Sequence, residues 1–213
     1  MQFSALFPYR LYLVISEADC RGRDFVWVAE QAILGGVEIL QLREKELETK
    51  AFLRNATRLK AVTDRYGVPL VINDNLDVAM RLGAAGIHVG RNDVRPQAVR
   101  KIWEGAGLVG YSIEQLEQLD SRETEAADYL GISPVFSTPT KRDTLTEWGI
   151  EGIRKIRQQT GKPLVAIGRM NRDNVVEVMQ AGANCVAVVS AICSADSPYE
   201  AARELTELIN NTI

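Results

Sequence analysis

The chain has a single histidine and three cysteines in 213 residues, and these two scarcities remove several chemistries together. Cys20, Cys185 and Cys193 are odd in number, form no CxxC and have no histidine beside them, so neither a disulfide framework nor a zinc site is expected. No apolar run approaches the roughly 20 residues that span a bilayer. The opening MQFSALFPYRLYLVIS has no basic segment followed by a cleavage site, so a cytoplasmic location is expected. Neither sign of charge dominates: 25 Lys and Arg stand against 28 Asp and Glu, a net charge of -3. Such a surface has no general attraction for nucleic acid or an anionic membrane, and neither is expected as a partner. No Pro- or Ser-rich linker interrupts the chain, so residues 1–213 read as one domain. The composition, with 46% hydrophobic and 25% charged residues, is that of a globular protein.

Apolar runs alternate with amphipathic stretches from end to end. The strand candidates are 11–16, 38–43, 69–73, 86–90, 108–112, 129–136, 163–168 and 185–190. Helical spacing follows in FVWVAEQAIL, ETKAFLRNATRLKAVTDRY, NLDVAMRLG, AVRKIW, IEQLEQL, IEGIRKIRQQ, DNVVEVMQAG and YEAARELTELI. Strands nearly continuous in Val, Ile and Leu imply burial on both faces, as in parallel sheets covered by helices. Eight such pairs point to a (β/α)8 TIM barrel near the lower end of that fold's usual size, about 200 residues. An open doubly wound sheet shares the alternation, but no GxGxxG follows the first strand. Glycines in Leu34-Gly35-Gly36, Leu82-Gly83-Ala84 and Ala181-Gly182-Ala183 are suited to closing helices in a left-handed conformation.

In a barrel, chemistry collects at the carboxyl ends of the strands. Polar residues gather there: Gln41, Arg43, Glu44 and Lys45 after the second strand, Asn73 and Asp74 after the third, Asp93 after the fourth, Ser112 at the end of the fifth. Ser137, Thr138, Thr140 and Lys141 follow the sixth, Gly168 and Arg169 the seventh, and Val189 and Ser190 the eighth. Asp74 and Asp93, on adjacent loops, offer the hard carboxylate oxygens that Mg²⁺ takes together with phosphate oxygens. The alternative is that each Asp caps the helix after it. Arg43, Lys45 and Lys141 bring three cations to one rim of an acidic protein, which suits a diphosphate. The stretch FSTPTKRDTLTEWG, 136–149, has the length of a functional loop, and Thr138 and Thr140 are candidate donors to phosphate or to local backbone. Amides near Gly168 and Val189-Ser190 occupy the place of a recurrent barrel phosphate site, suggesting a second, monophosphate pocket. His88, inside a strand, is expected to be a satisfied core histidine more than a site residue.

The stretches GGVEILQLREK, VPLVINDNLDVAMRLGAAGIHVG with Asp93, ADYLGISPVFSTPTKRD, and PLVAIG followed by AGANCVAVVSAI together resemble the thiamine phosphate synthase family. The resemblance implies a transferase of thiamine biosynthesis on a (β/α)8 barrel. Such an enzyme joins hydroxymethylpyrimidine diphosphate to hydroxyethylthiazole phosphate, releasing pyrophosphate with Mg²⁺ by a dissociative path. It implies that Gln41 meets the pyrimidine, that Arg43, Lys45, Asn73 and Lys141 hold the diphosphate, and that Asp74 and Asp93 bind the metal. It places Ser112 beside the reacting centre, with Ser112, Lys141 and Arg43 as the catalytic set. Thr138, Thr140, Gly168, Val189 and Ser190 would then contact the thiazole phosphate or its ring. A homodimer is expected only because most soluble oligomers are dimeric.

Four positions depart from the family pattern. Arg169 stands where a second glycine is usual, and its side chain either blocks the phosphate pocket or adds a guanidinium to it. Arg91 replaces a glutamine, and Ile15-Ser16 replaces Thr-Asp. Two other functions compete. A thiazole tautomerase-like isomerase would need a histidine where Glu114 stands, and a non-catalytic barrel could bind a phosphorylated ligand without turnover.

Overall fold

The computed structural model describes residues 7–137 and 146–212. Eight parallel strands close into a barrel in sequence order: β1 Leu11–Ile15, β2 Ile39–Leu42, β3 Leu70–Asn73, β4 Gly86–Val89, β5 Leu108–Ile113, β6 Tyr129–Ile132, β7 Leu164–Ile167 and β8 Cys185–Val188. The ring closes where β1 pairs with β8, Leu13 opposite Val188. Each expected strand is present, and the closed ring removes the open-sheet alternative.

Two buried clusters follow from the two faces of each strand. Outward residues such as Leu13, Leu40, Ile72, Ile87, Leu130 and Val186 pack against the helices. Inward residues Tyr12, Val14, Ile39, Val71, Tyr129, Val165, Cys185 and Ala187 fill the barrel, with Phe7 beneath them at 4.5 Å between ring centroids from Tyr129. Period-two alternation therefore divides every strand between the two cores.

The outer layer is α1 Phe25–Leu34, α2 Thr49–Tyr66, α3 Leu76–Leu82, α4 Pro96–Ile102, α5 Arg122–Ala126, α6 Gly149–Gln159, α7 Val175–Gln180, α8 Ser190–Cys193 and α9 Pro198–Asn210. Local chemistry sets the starts. Asp24 accepts the Val26 amide at 2.9 Å to open α1. Ser197 accepts the Glu200 amide, with Pro198 in the first turn, to open α9. No helix among the described residues is long and apolar enough to cross a membrane.

Several boundaries differ from expectation, and three bear on the loops at the strand ends. The IEQLEQL segment is not one helix: Ile113 ends β5, a 3-10 turn covers Leu116–Asp120, and α5 starts afresh after Ser121. The Gln118 side chain draws in the Glu114 and Gln115 amides at 2.7 and 2.9 Å, which tightens the turn. β6 stops at Ile132 because Pro134 has no amide to donate, although Val135 still donates to Ile167 at 2.8 Å. β8 stops at Val188, and Ser190 opens the short α8. Glycine punctuation is also divided. Gly83 closes α3 at φ 61°, whereas Gly35, which Tyr199 and Ala202 of α9 approach too closely for a Cβ, stays right-handed, and Gly36 makes the turn at φ 109°.

Candidate active site

At the carboxyl ends of the strands the barrel opens into one cavity of about 610 Å³. Its wall includes Gln41, Arg43, Lys45, Asn73, Asp74, Asp93, Ser112, Gly168, Val189 and Ser190, so ten sequence candidates from six strands or their loops meet in one space. Thr138, Thr140 and Lys141 lie outside the described residues. Glu44 turns elsewhere: its Oε1 accepts the Glu17 amide at 3.0 Å and Asn55 Nδ2 at 3.5 Å. Burial raises its carboxyl above the ordinary range, against the Glu17 and Asn55 hydrogen bonds and with a further push from Glu17 and Asp19.

The loops after β2, β3 and β4 carry the charge. Arg43 is fixed at the strand end by its amide, which donates to Ile15 at 2.9 Å and extends the β1–β2 pairing. Lys45 pairs with Asp74. Asp74 itself adopts φ 61°, outside the range most side chains prefer, and its amide donates to the His88 carbonyl at 2.9 Å. That pairing turns the chain just before α3, which Asn75 caps by accepting the Val78 amide at 3.0 Å. Asp93 accepts the Gly90 amide at 2.8 Å within its own loop, while Arg95 stands at the start of α4. Neither aspartate is therefore a helix cap.

The two carboxyls stand close enough to influence each other. Burial first, and then Asp74, push the Asp93 carboxyl above its ordinary value; the Gly90 amide and Lys45 pull it back. A half-buried pair of neighbouring carboxyls is suited to a divalent cation, whose charge would offset their mutual repulsion. No cluster of three or more His, Cys, Asp or Glu occurs among the described residues, so such an ion would have two protein carboxylates and take its other oxygens from ligand and water.

Across the cavity, after β7 and β8, lie Gly168, Val189 and Ser190. Gly168 has φ 118°, and an added Cβ would come within 2.9 Å of Pro134 and of the Val135 amide, so only glycine fits. Arg169, the next residue, also borders the cavity and holds φ 55°, a conformation suited to glycine. Its carbonyl accepts from Asn174 Nδ2 at 3.0 Å and lies 3.4 Å from Asn171 Nδ2, which pins the turn. Among the described residues neither Arg43 nor Arg169 has an acidic partner.

The floor carries residues that sequence reasoning did not place in the site: Tyr12, His88, Tyr129 and Gly131. His88 is both hydrogen-bonded and in the site, with Nε2 2.8 Å from Ser112 Oγ and Nδ1 3.1 Å from the Tyr129 hydroxyl. The available signal was parity: Asn73, His88 and Ser112 occupy inward positions, and His88 pairs in register with Asn73 and Gly110. Glu114, the position a tautomerase would need, is buried after β5 and is not part of the cavity wall.

Comparison with known proteins points to one family. The family model for thiamine monophosphate synthase matches residues 11–192. A thiamine-phosphate synthase of Albidiferax ferrireducens is 46% identical over 201 residues, covering 94% of this chain and 92% of that protein. One from Chloroflexus aurantiacus is 41% identical, covering 100% and 98%. The solved thiamine phosphate pyrophosphorylase of Pyrococcus furiosus superposes with a TM-score of 0.87 at 30% identity, covering 97% of this chain and 98% of that one. In fold and in sequence, this chain belongs to the thiamine monophosphate synthase family.

Proposed function

We propose that the chain is a thiamine phosphate synthase that condenses hydroxymethylpyrimidine diphosphate with hydroxyethylthiazole phosphate and releases pyrophosphate. The observation that carries this reading is the division of one cavity. Arg43, Lys45, Asp74 and Asp93 stand at one side, Gly168, Arg169 and Ser190 at the other, and neutral hydrogen-bonding groups lie between them. A pyrimidine carrying a diphosphate and a thiazole carrying a monophosphate, bound side by side, match that division.

In this reading Arg43, Lys45, Asn73 and Lys141 hold the diphosphate, Asp74 and Asp93 hold Mg²⁺, and Gln41 meets the pyrimidine. Mg²⁺ bound there supplies positive charge to the leaving pyrophosphate. Arg43 and Lys45 do the same from the protein side as the carbon–oxygen bond breaks, and the thiazole nitrogen then captures the pyrimidine methylene cation. No protein nucleophile is required, and all three cysteines are buried. Ser112 lies beside the reacting centre, while Thr138, Thr140, Gly168, Val189 and Ser190 hold the thiazole phosphate. The rate then depends on positioning and electrostatic stabilisation.

Purified protein mixed with both substrates and Mg²⁺ should form thiamine phosphate, detected after oxidation to fluorescent thiochrome. No product from the native chain would defeat the reading. Arg169→Gly, run alongside, separates the two roles of that residue: product only from the glycine variant means that Arg169 blocks the monophosphate pocket.

A further inference from the structure

Five side chains from five strands form a continuous polar chain across the barrel floor. Gln41 Nε2 donates to the Tyr12 hydroxyl at 3.0 Å, and the Tyr12 and Tyr129 hydroxyls lie 3.1 Å apart. The Tyr129 hydroxyl is 3.1 Å from His88 Nδ1, and His88 Nε2 is 2.8 Å from Ser112 Oγ. Tyr12, Gln41 and Tyr129 are 1%, 4% and 0% exposed, so each hydroxyl has to find its partner within the protein. Burial, above all, keeps both phenols un-ionised. The floor is also sterically reserved. A Cβ at Gly110 would lie 2.2 Å from Tyr129 Cζ and 2.3 Å from His88 Nδ1, and one at Gly131 would lie 3.0 Å from His88 Cε1.

Such a chain has a direction. With Gln41 donating, Tyr12 donates to Tyr129, Tyr129 donates to Nδ1, the ring proton sits on Nε2 facing Ser112, and the Ser112 hydroxyl proton is left for the ligand. At the other end Gln41 keeps its carbonyl for the ligand. Turning the amide over reverses every bond: the ring proton moves to Nδ1, Ser112 becomes an acceptor, and Gln41 presents its NH₂. Either way the two ends are opposite in kind.

We propose that Tyr12, Tyr129 and His88 are positioning residues that couple the amide of Gln41 to the hydroxyl of Ser112, so that the ring held between them must present one donor and one acceptor. An aminopyrimidine, with an amine beside a ring nitrogen, has that pattern; identifying the ring rests on the synthase reading, whereas the coupling does not. A pyrimidine in which a carbonyl replaced the amine offers its donor and acceptor in the opposite order and would be matched only after every bond in the chain had reversed, so the chain discriminates by the cost of that reversal.

The test uses the fact that His88 is the only histidine. Protein labelled with ¹⁵N in its imidazole shows one pair of ring-nitrogen resonances, whose shifts report which nitrogen carries the proton. Tyr12→Phe touches neither ring nitrogen, and Tyr129→Phe provides a second variant if the first does not fold. A single tautomer in the ligand-free wild type that becomes mixed in a folded variant supports the coupling. A mixed population in the wild type, or shifts unchanged in both variants, overturns it. Calorimetry with hydroxymethylpyrimidine diphosphate should show binding weakened about tenfold by Tyr12→Phe, the loss expected for about one hydrogen bond. Equal affinity in wild type and variant would overturn that discrimination. If the nitrogens respond but the wild type makes no thiamine phosphate, the synthase reading fails and the coupled chain stands.

Discussion

The rim and the floor of the same cavity are built by opposite means. At the rim, Arg43, Lys45, Asp74 and Asp93 sit on loops, and the Lys45 and Asp74 side chains keep 47% and 21% of their exposure. Coulomb attraction there is long-ranged, tolerant of geometry and weakened by water. At the floor, Tyr12, Gln41, His88, Ser112 and Tyr129 stand on strands, carry directional hydrogen bonds and are packed against glycines. A rim of this kind is suited to hold a polyanion and let it leave, whereas the proposed role of the floor is to read the hydrogen-bonding pattern of a ring. In the proposed reading, the difference assigns rate to charges on partly exposed loops and selectivity to hydrogen-bonding groups on largely buried strand positions.

That contrast is open to direct attack. The largest expected effect is on turnover at the rim. Asp93→Asn keeps an acceptor for the Gly90 amide but removes a charge, and steady-state kinetics should show turnover falling about 100-fold or more with the fold intact. Complete chelation of divalent metal should silence the wild type in the same assay.

Next comes the floor. Gly110→Ala would force a methyl into Tyr129 and His88, and urea unfolding should register a loss of about 1–3 kcal/mol together with reduced activity. Rim and floor are thereby separated, since one substitution reduces rate at constant stability and the other reduces both.

A smaller effect is expected at Arg169. Glycine there relieves the φ of 55°, so thermal unfolding should show unchanged or slightly raised stability, by up to about 1 kcal/mol. The KM for the thiazole phosphate should rise about tenfold if the lost guanidinium contact is worth about 1.4 kcal/mol. A lowered KM would assign Arg169 the blocking role.

The smallest effect is a slope in pH. Burial and Asp74 raise the folded pKa of Asp93, so the folded state holds this proton more tightly than the unfolded chain. The contribution favours folding at low pH and is lost as pH rises through the folded pKa. Metal-free wild type should therefore lose a little thermal stability across that window, and Asp93→Asn should lose less.

Much of this was legible in the chain. The Val, Ile and Leu runs marked all eight strands, because inward and outward faces are both buried in a helix-covered barrel. Polar residues just after those runs marked the rim. The floor was less legible: Tyr12 and Tyr129 read as core aromatics, and His88 as a core histidine, because a local pattern does not show which hydroxyl faces which ring nitrogen. The IEQLEQL segment misled because a leucine spacing of three fits a 3-10 turn as well as an α-helix, and the Gln118 side chain decided between them.

Sequence by itself determined the alternation of strand and helix, the family, and the residue types available at each strand end, since these depend on periodicity and on chemistry local to a few residues. Only the tertiary structure decided that Asp74 and Asp93 face each other rather than cap helices, that Glu44 turns away, and that five inward side chains join into one chain. Those outcomes depend on the register and closure of the barrel, which bring residues as far apart as Tyr12 and Tyr129 within 3.1 Å.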